Sequence, residues 1–193
     1  VYSSSTFTLR GEIMWSGHLT IRKSVRGQAT QGAVKAMAWV GFVDGRVLPI
    51  HWLDENVTRH AYLKMLKDVA WPRAGEERPL VQQDGARVHT TNDVLEFLQE
   101  KFHGRVISNR LKESWPAKSP DLNPLDFYFW GAAEAEVFQK KPKTIPELKA
   151  IVETYAFRIP RDTLLCVADN FMERAKICNQ EDGGHFERLL KKS

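Results

Sequence analysis

Apolar residues in this chain change their rhythm after Ile50, and few architectures accommodate that change. Before it, Thr6–Leu9, Glu12–Trp15, Leu19–Ile21 and Ala33–Phe42 are rich in β-formers, and Asp44-Gly45 links the last of these to Arg46–Ile50 as a hairpin turn. These segments predict successive antiparallel strands. Ser24–Gly32 holds two glycines, two glutamines and little apolar content, so it is expected to be an exposed loop. Beyond Ile50, helical and strand patterns alternate. Thr58–Val69 puts Tyr62, Leu63, Leu66 and Val69 on one helix face, with Trp71-Pro72 as its stop. Pro79–Gln83 is a short strand ending at Asp84. Thr91 can cap a helix to Phe102 that turns Val94, Leu95, Leu98 and Phe102 inward, and Arg105–Ser108 is another strand. The order β-β-β-α-β-α-β-α predicts a mixed sheet covered by helices on both faces.

Three more helices are expected after that. Asn123-Pro124 opens one toward Phe138, with Asn as N-cap and Pro at the first helical position. Thr144-Ile145-Pro146-Glu147 reads as a capping box ahead of Leu148, Ile151, Val152 and Tyr155. Arg161–Asn179 carries Leu164, Leu165, Ala168, Phe171, Met172 and Ala175 on its inner face, and Gly183-Gly184 ends the pattern. No repeat or linker divides the 193 residues, which predicts a single domain over 1–193. Hydrophobic residues at 42% suffice for one core, yet no run reaches the roughly 18 apolar residues of a membrane span, so no membrane partner is expected. Cys166 and Cys178 share one helix without zinc-like spacing and read as reduced, partly buried thiols.

Two segments concentrate the chemistry: Val81-Gln82-Gln83-Asp84-Gly85-Ala86-Arg87-Val88-His89, and Trp115-Pro116-Ala117-Lys118-Ser119-Pro120-Asp121-Leu122-Asn123-Pro124-Leu125-Asp126. Taken singly, each has an ordinary explanation. Asp84-Gly85 is a common turn, and Asn123-x-x-Asp126 is a capping arrangement in which Asp126 complements the helix dipole. Asp121 reads as a turn residue and His89 as structural. In order and together, the two segments resemble the second and third acidic motifs of mariner-type transposases. The tail Asn179-Gln180-Glu181-Asp182-Gly183-Gly184-His185-Phe186-Glu187 resembles the end of that superfamily, so the similarity covers nearly the whole chain.

This resemblance implies an α/β, RNase H-like fold of the retroviral integrase superfamily, a mixed five-stranded sheet flanked by helices on both faces. It also implies Asp84 and Asp126, with 41 residues between them, as catalytic and metal-binding acids for Mg²⁺ or Mn²⁺. Two-ion phosphoryl chemistry holds its cations roughly 3.5–4 Å apart, and hard cations require hard oxygen ligands. The family's first acid lies on an opening strand, and matching Phe7 and Gly11 to that motif puts Ser3 in the aspartate's place and Ser4 in that of the neighbouring glutamate. A neutral hydroxyl is a weak ligand, which predicts weak or vestigial metal binding and no normal cleavage. Glu12, Asp44 and Asp54 are poor substitutes. A domesticated gene, or first residues that are not the native ones, would both account for Ser3. The formal charge of +4 and the stretch Arg10, His18, Arg22, Lys23, Arg26 and Lys35 suit a polyanion. Expected partners are DNA, held non-specifically through Arg22, Lys23, Arg26 and Lys118, a second copy reached through the Arg10–Gly32 loop, and a protein. The alternative is an active cut-and-paste transposase. The 193 residues hold no helix-turn-helix reader of the family's kind, so sequence-specific binding is not expected of them; the family implies action in the nucleus.

Overall fold

The computed structural model describes residues 13–22, 35–53, 57–74, 79–115, 119–184 and 186–190, with the side chains of 16–22, 35 and 187 outside that description. Among the described residues, six strands form one mixed sheet: β1 (Ile13–Arg22), β2 (Lys35–Val43), β3 (Arg46–Val47), β4 (His51–Leu53), β5 (Leu80–Gln83) and β6 (Val106–Ile107). The order β3-β2-β1-β5-β6 has β1 antiparallel to β2 and parallel to β5, and β5 parallel to β6, while β4 pairs with β2. Five positions were expected and five lie on this path. The sixth strand arises because β3 and β4 are two pieces of one edge. Arg46–Val47 pairs with Phe42–Val43, and His51–Leu53 pairs with Met37–Trp39. Pro49 falls in the break, where a residue without an N–H belongs at a sheet edge.

Ile13–Trp15, the described part of the expected strand Glu12–Trp15, and Leu19–Ile21, read from sequence as a separate strand, instead belong to one ten-residue strand. Ser16 and Gly17 do not interrupt it, because β2 pairs with its backbone from Trp15 through Arg22. The hairpin at Asp44-Gly45 is as expected, with both residues at positive φ. Gly45 is required there on two counts. Its φ is +63°, and a Cβ would lie 2.9 Å from Cγ of Arg161.

The helices are α1 (Arg59–Met65), α2 (Trp71–Ala74), α3 (Asn92–Lys101), α4 (Gly131–Lys140), α5 (Ile145–Arg158) and α6 (Arg161–Gln180). Thr58 caps α1 by accepting from Ala61 N–H at 3.2 Å. Trp71-Pro72 does not stop this helix, because α1 runs into α2 through a π-helical turn over Leu66–Ala70. The Trp71 N–H reaches back five residues to the Leu66 carbonyl, and the widened turn relieves the clash and lost bond that proline brings to an α-helix. The extra residue also rotates the inner face: Met65, Leu66 and Ala70 are buried, whereas Leu63 and Val69 are only half-buried.

Two cores lie on opposite sides of the sheet, as strand alternation demands. Ile13, Trp15, Ala38, Val40 and Phe42 meet Phe129, Leu148, Val152, Leu164 and Phe171 from the later helices. Met14, Trp39, Val43 and Val81 meet Tyr62, Leu66, Val94 and Leu98. The expected covering of both faces is observed. Cys178 is half-buried, but Cys166 is exposed, which corrects its expected partial burial. Among the described residues no helix is long and apolar enough to cross a membrane.

Candidate functional site

Asp84 is the first residue beyond β5. The buried Gln83 before it has every polar atom of its amide group engaged: Oε1 accepts from the Tyr62 hydroxyl at 3.0 Å, and Nε2 donates to the His89 carbonyl at 2.8 Å and to Ser108 Oγ at 2.9 Å. That amide ties the strand end to α1, to the loop after Asp84 and to β6's far end. One Asp84 oxygen, Oδ1, accepts from Ala86 N–H at 3.1 Å and lies 2.5 Å from His89 Nδ1. The His89 ring is fully buried and stacks on Tyr62 at 4.2 Å between centroids. His89 therefore orients Asp84 from behind and does not face solvent. Gly85 leaves room for Asn109, whose Nδ2 would be 2.3 Å from a Cβ there. Arg110 donates to the Thr90 carbonyl at 2.7 Å and to Asn92 Oδ1 at 3.0 Å, closing the loop ahead of α3.

Asp126 is placed by a different device. A 3-10 turn over Pro120–Leu122 leads to Asn123, then a π-helical turn over Leu125–Trp130 leads into α4, where a regular helix was expected from Asn123 onward. Asn123 is nearly inaccessible to solvent. Its Oδ1 accepts from Leu125 N–H at 3.2 Å while its Nδ2 donates to Asp126 Oδ2 at 2.8 Å. One amide thus caps the helix and aims the carboxylate. Protein crowds one side of Asp126 and raises its pKa by desolvation; the Asn123 hydrogen bond opposes that shift, and the negative charge of Asp84 adds to it. Two carboxylates from distant sequence positions therefore share one field.

Among the described residues, the strand beside Asp84 brings no third acid to them. β1 lies next to β5 in the register Ile13↔Leu80 through Ser16↔Gln83, and its ten residues include no Asp or Glu. Among the described residues, no group of three His, Cys, Asp or Glu side chains could hold a metal ion. Asp84 and Asp126 are hard oxygen donors suited to one divalent ion, and the described residues offer no complete donor set for two. Ser3, Lys23, Arg26, Lys118, Glu12 and Asp54 lie outside the described residues, as does the Arg22 side chain. Asp44 is held by Arg161 at 3.0 Å, far along the chain from the acids and in keeping with a turn role. Sequence reasoning missed Tyr62 and Gln83 as supports. The second of them sits inside the quoted motif, where its burial beside an acid was the available signal.

No family model matches the chain. Over 125 residues it is 26% identical to the Tc3 transposase of Caenorhabditis elegans, covering 62% of this chain and 35% of that protein. The structure aligns with the Mos1 transposase in its paired-end complex with the left transposon end at a TM-score of 0.75 and 19% identity, over 94% of this chain and 58% of that one. It aligns with the Mos1 catalytic domain, solved with raltegravir and Mn, at a TM-score of 0.73 and 18% identity, over 94% of this chain and 88% of that one. The fold is thus shared with the Mos1 catalytic domain, which matches the expected mixed sheet flanked by helices on both faces. In sequence the chain is similar to a Tc1/mariner-type transposase, and it spans about a third of the length of the Tc3 protein.

Proposed function

We propose that this chain is a transposase-derived RNase H-like domain that has lost normal metal-dependent cleavage and acts by binding DNA, a protein, or both. The observation that carries the reading is that β1, the strand beside the one leading to Asp84, holds no acid; the motif match adds Ser3, which precedes that strand in sequence, at the position of the first aspartate. Asp84 and Asp126 alone set two negative charges against the four positive charges of an ion pair, so occupancy falls and no activated water is generated efficiently.

DNA binding is supported by the shape of the sheet. β1 continues six residues past Ser16, its last pairing with β5, and β2 accompanies it to Lys35↔Arg22. At about 3.3 Å per residue this ribbon extends roughly 20 Å beyond the sheet end that bears Asp84. In sequence, Arg22 is the last residue of β1 and Lys23 and Arg26 come after it, while Lys118 precedes the Asp126 helix. Contacts with phosphates through these cations are non-specific and salt-sensitive. A homodimer contact through Arg10–Gly32, a protein partner and nuclear action belong to the same proposal.

The retained support of Asp84 by His89 and of Asp126 by Asn123 favours a second reading, an active cut-and-paste transposase using Mg²⁺ or Mn²⁺. A mobility-shift titration at several salt concentrations, with and without Mn²⁺, tests the leading one. Metal-independent DNA binding that weakens with salt, and that Arg22→Ala/Lys23→Ala/Arg26→Ala abolishes, is expected. An unchanged affinity and salt slope in that triple variant would remove the assigned surface.

A further inference from the structure

The geometry points to Arg174, on α6, as the positioning residue that sets where Asp126 stands. This rests on the reading of Asp126 as an acid of a transposase-type site. Arg174 lies far from Asp126 in sequence, and no motif marks it. Its Nη1 donates to the Asp121 carbonyl at 2.9 Å, its guanidinium carbon sits 4.2 Å from the centroid of the Phe127 ring, and its Nε donates to Asn170 Oδ1 at 2.6 Å.

Those contacts bracket the acid. Asp121 lies in the 3-10 turn that delivers Asn123, through the Asn123 N–H to Pro120 carbonyl bond at 3.0 Å. Phe127 is the residue immediately after Asp126, and its N–H returns to the Asn123 carbonyl at 3.0 Å. A single planar cation therefore fastens the segment on both sides of the Asn123–Asp126 hydrogen bond, and Asn170 fixes the plane of that cation. Both turns it joins are non-α geometries, a 3-10 turn and a π-helical turn, which their own backbone bonds hold less firmly than an α-helix would. Arginine suits the task because one face can stack on a ring while the edge donates hydrogen bonds; lysine offers a point charge and no plane.

The test is amide hydrogen exchange by NMR on the whole ¹⁵N-labelled chain, comparing Arg174→Met, which keeps the apolar stem, with Arg174→Lys. The reporters are the Leu125, Asp126 and Phe127 amides, all of which donate to Asn123. In Arg174→Met their exchange is expected to rise by about tenfold or more while Val40 and Phe42 in the β1–β2 ladder keep their protection; Arg174→Lys, retaining a cation near the ring, is expected to fall between. Unchanged exchange at the three reporters would overturn the assignment, and so would a uniform rise across the molecule, which would mean general stabilisation alone. Mn²⁺ added to the unsubstituted chain examines the underlying reading separately and is expected to broaden resonances around Asp84 and Asp126. No broadening there would overturn the site reading, and Arg174's bearing on it, whatever the exchange pattern.

Discussion

The acid-bearing half of the site and the strand facing it differ in kind. Asp84 and Asp126 are each aimed by a buried partner, His89 in one case and Asn123 in the other. β1, in register with the Asp84 strand, offers backbone pairing and apolar packing but no carboxylate. The aiming devices therefore have reasons to exist apart from catalysis. Gln83 and Tyr62 close a buried polar network, His89 fills a core position by stacking, and Asn123 caps a helix. A site can lose its chemistry and keep this architecture, since each support also contributes to folding.

That contrast can be broken first at Gln83. Gln83→Leu leaves the Tyr62 hydroxyl, Ser108 and the His89 carbonyl without their buried partner, so urea unfolding is expected to show a loss of about 2–4 kcal/mol. A loss under about 1 kcal/mol would mean the network is not structural, and the separation of support from catalysis would weaken. Asn123→Ala removes the cap and is expected to cost about 1–2 kcal/mol by the same measurement. A neutral result would leave aiming Asp126 as its main purpose.

Adding an acid approaches the contrast from the other side. Ser3→Asp is expected to tighten Mn²⁺ binding by about tenfold in a calorimetric titration, because a third carboxylate offsets charge that two leave bare. Gly17→Asp, one step past the Ser16↔Gln83 pair, puts the same question to β1 itself. If neither substitution alters Mn²⁺ affinity, the missing acid is not what limits the site.

The smallest expected effect concerns Asp126 alone. Its pKa in the folded chain is raised, with desolvation as the first cause, so folding favours the protonated form. The stabilisation linked to that proton is full below the unfolded pKa and is lost as pH rises through the folded value. Asp126→Asn removes the charged form, so its melting temperature at neutral pH is expected to exceed that of the parent by a few degrees at most, with the gap closing in acid. A lower melting temperature at neutral pH would show that the carboxylate stabilises the fold.

Local signals carried much of this structure into the sequence. The Asp44-Gly45 hairpin, the Thr144 cap, the inward faces of α3 and α6 and the two acidic motifs are short-range patterns, legible because each depends on neighbours in the chain. The capping box differs in one detail: Glu147 reaches the Lys143 N–H at 2.6 Å, one residue earlier than the motif implies. What was hidden depends on tertiary context. Pro72 reads as a stop, and only the π-helical turn before it lets the helix continue. Ser16 and Gly17 look like a break until β2 supplies pairing. Arg174 carries no local mark, since its partners Asp121 and Phe127 are far off in sequence.

The central claim is that two acids do not sustain phosphodiester cleavage. Its most direct measurement is nicking of supercoiled plasmid by the purified chain in Mn²⁺, with chelator and Asp84→Asn as controls. Plasmid left as intact as in both controls is the predicted result. Scission that chelator and Asp84→Asn both abolish would contradict it.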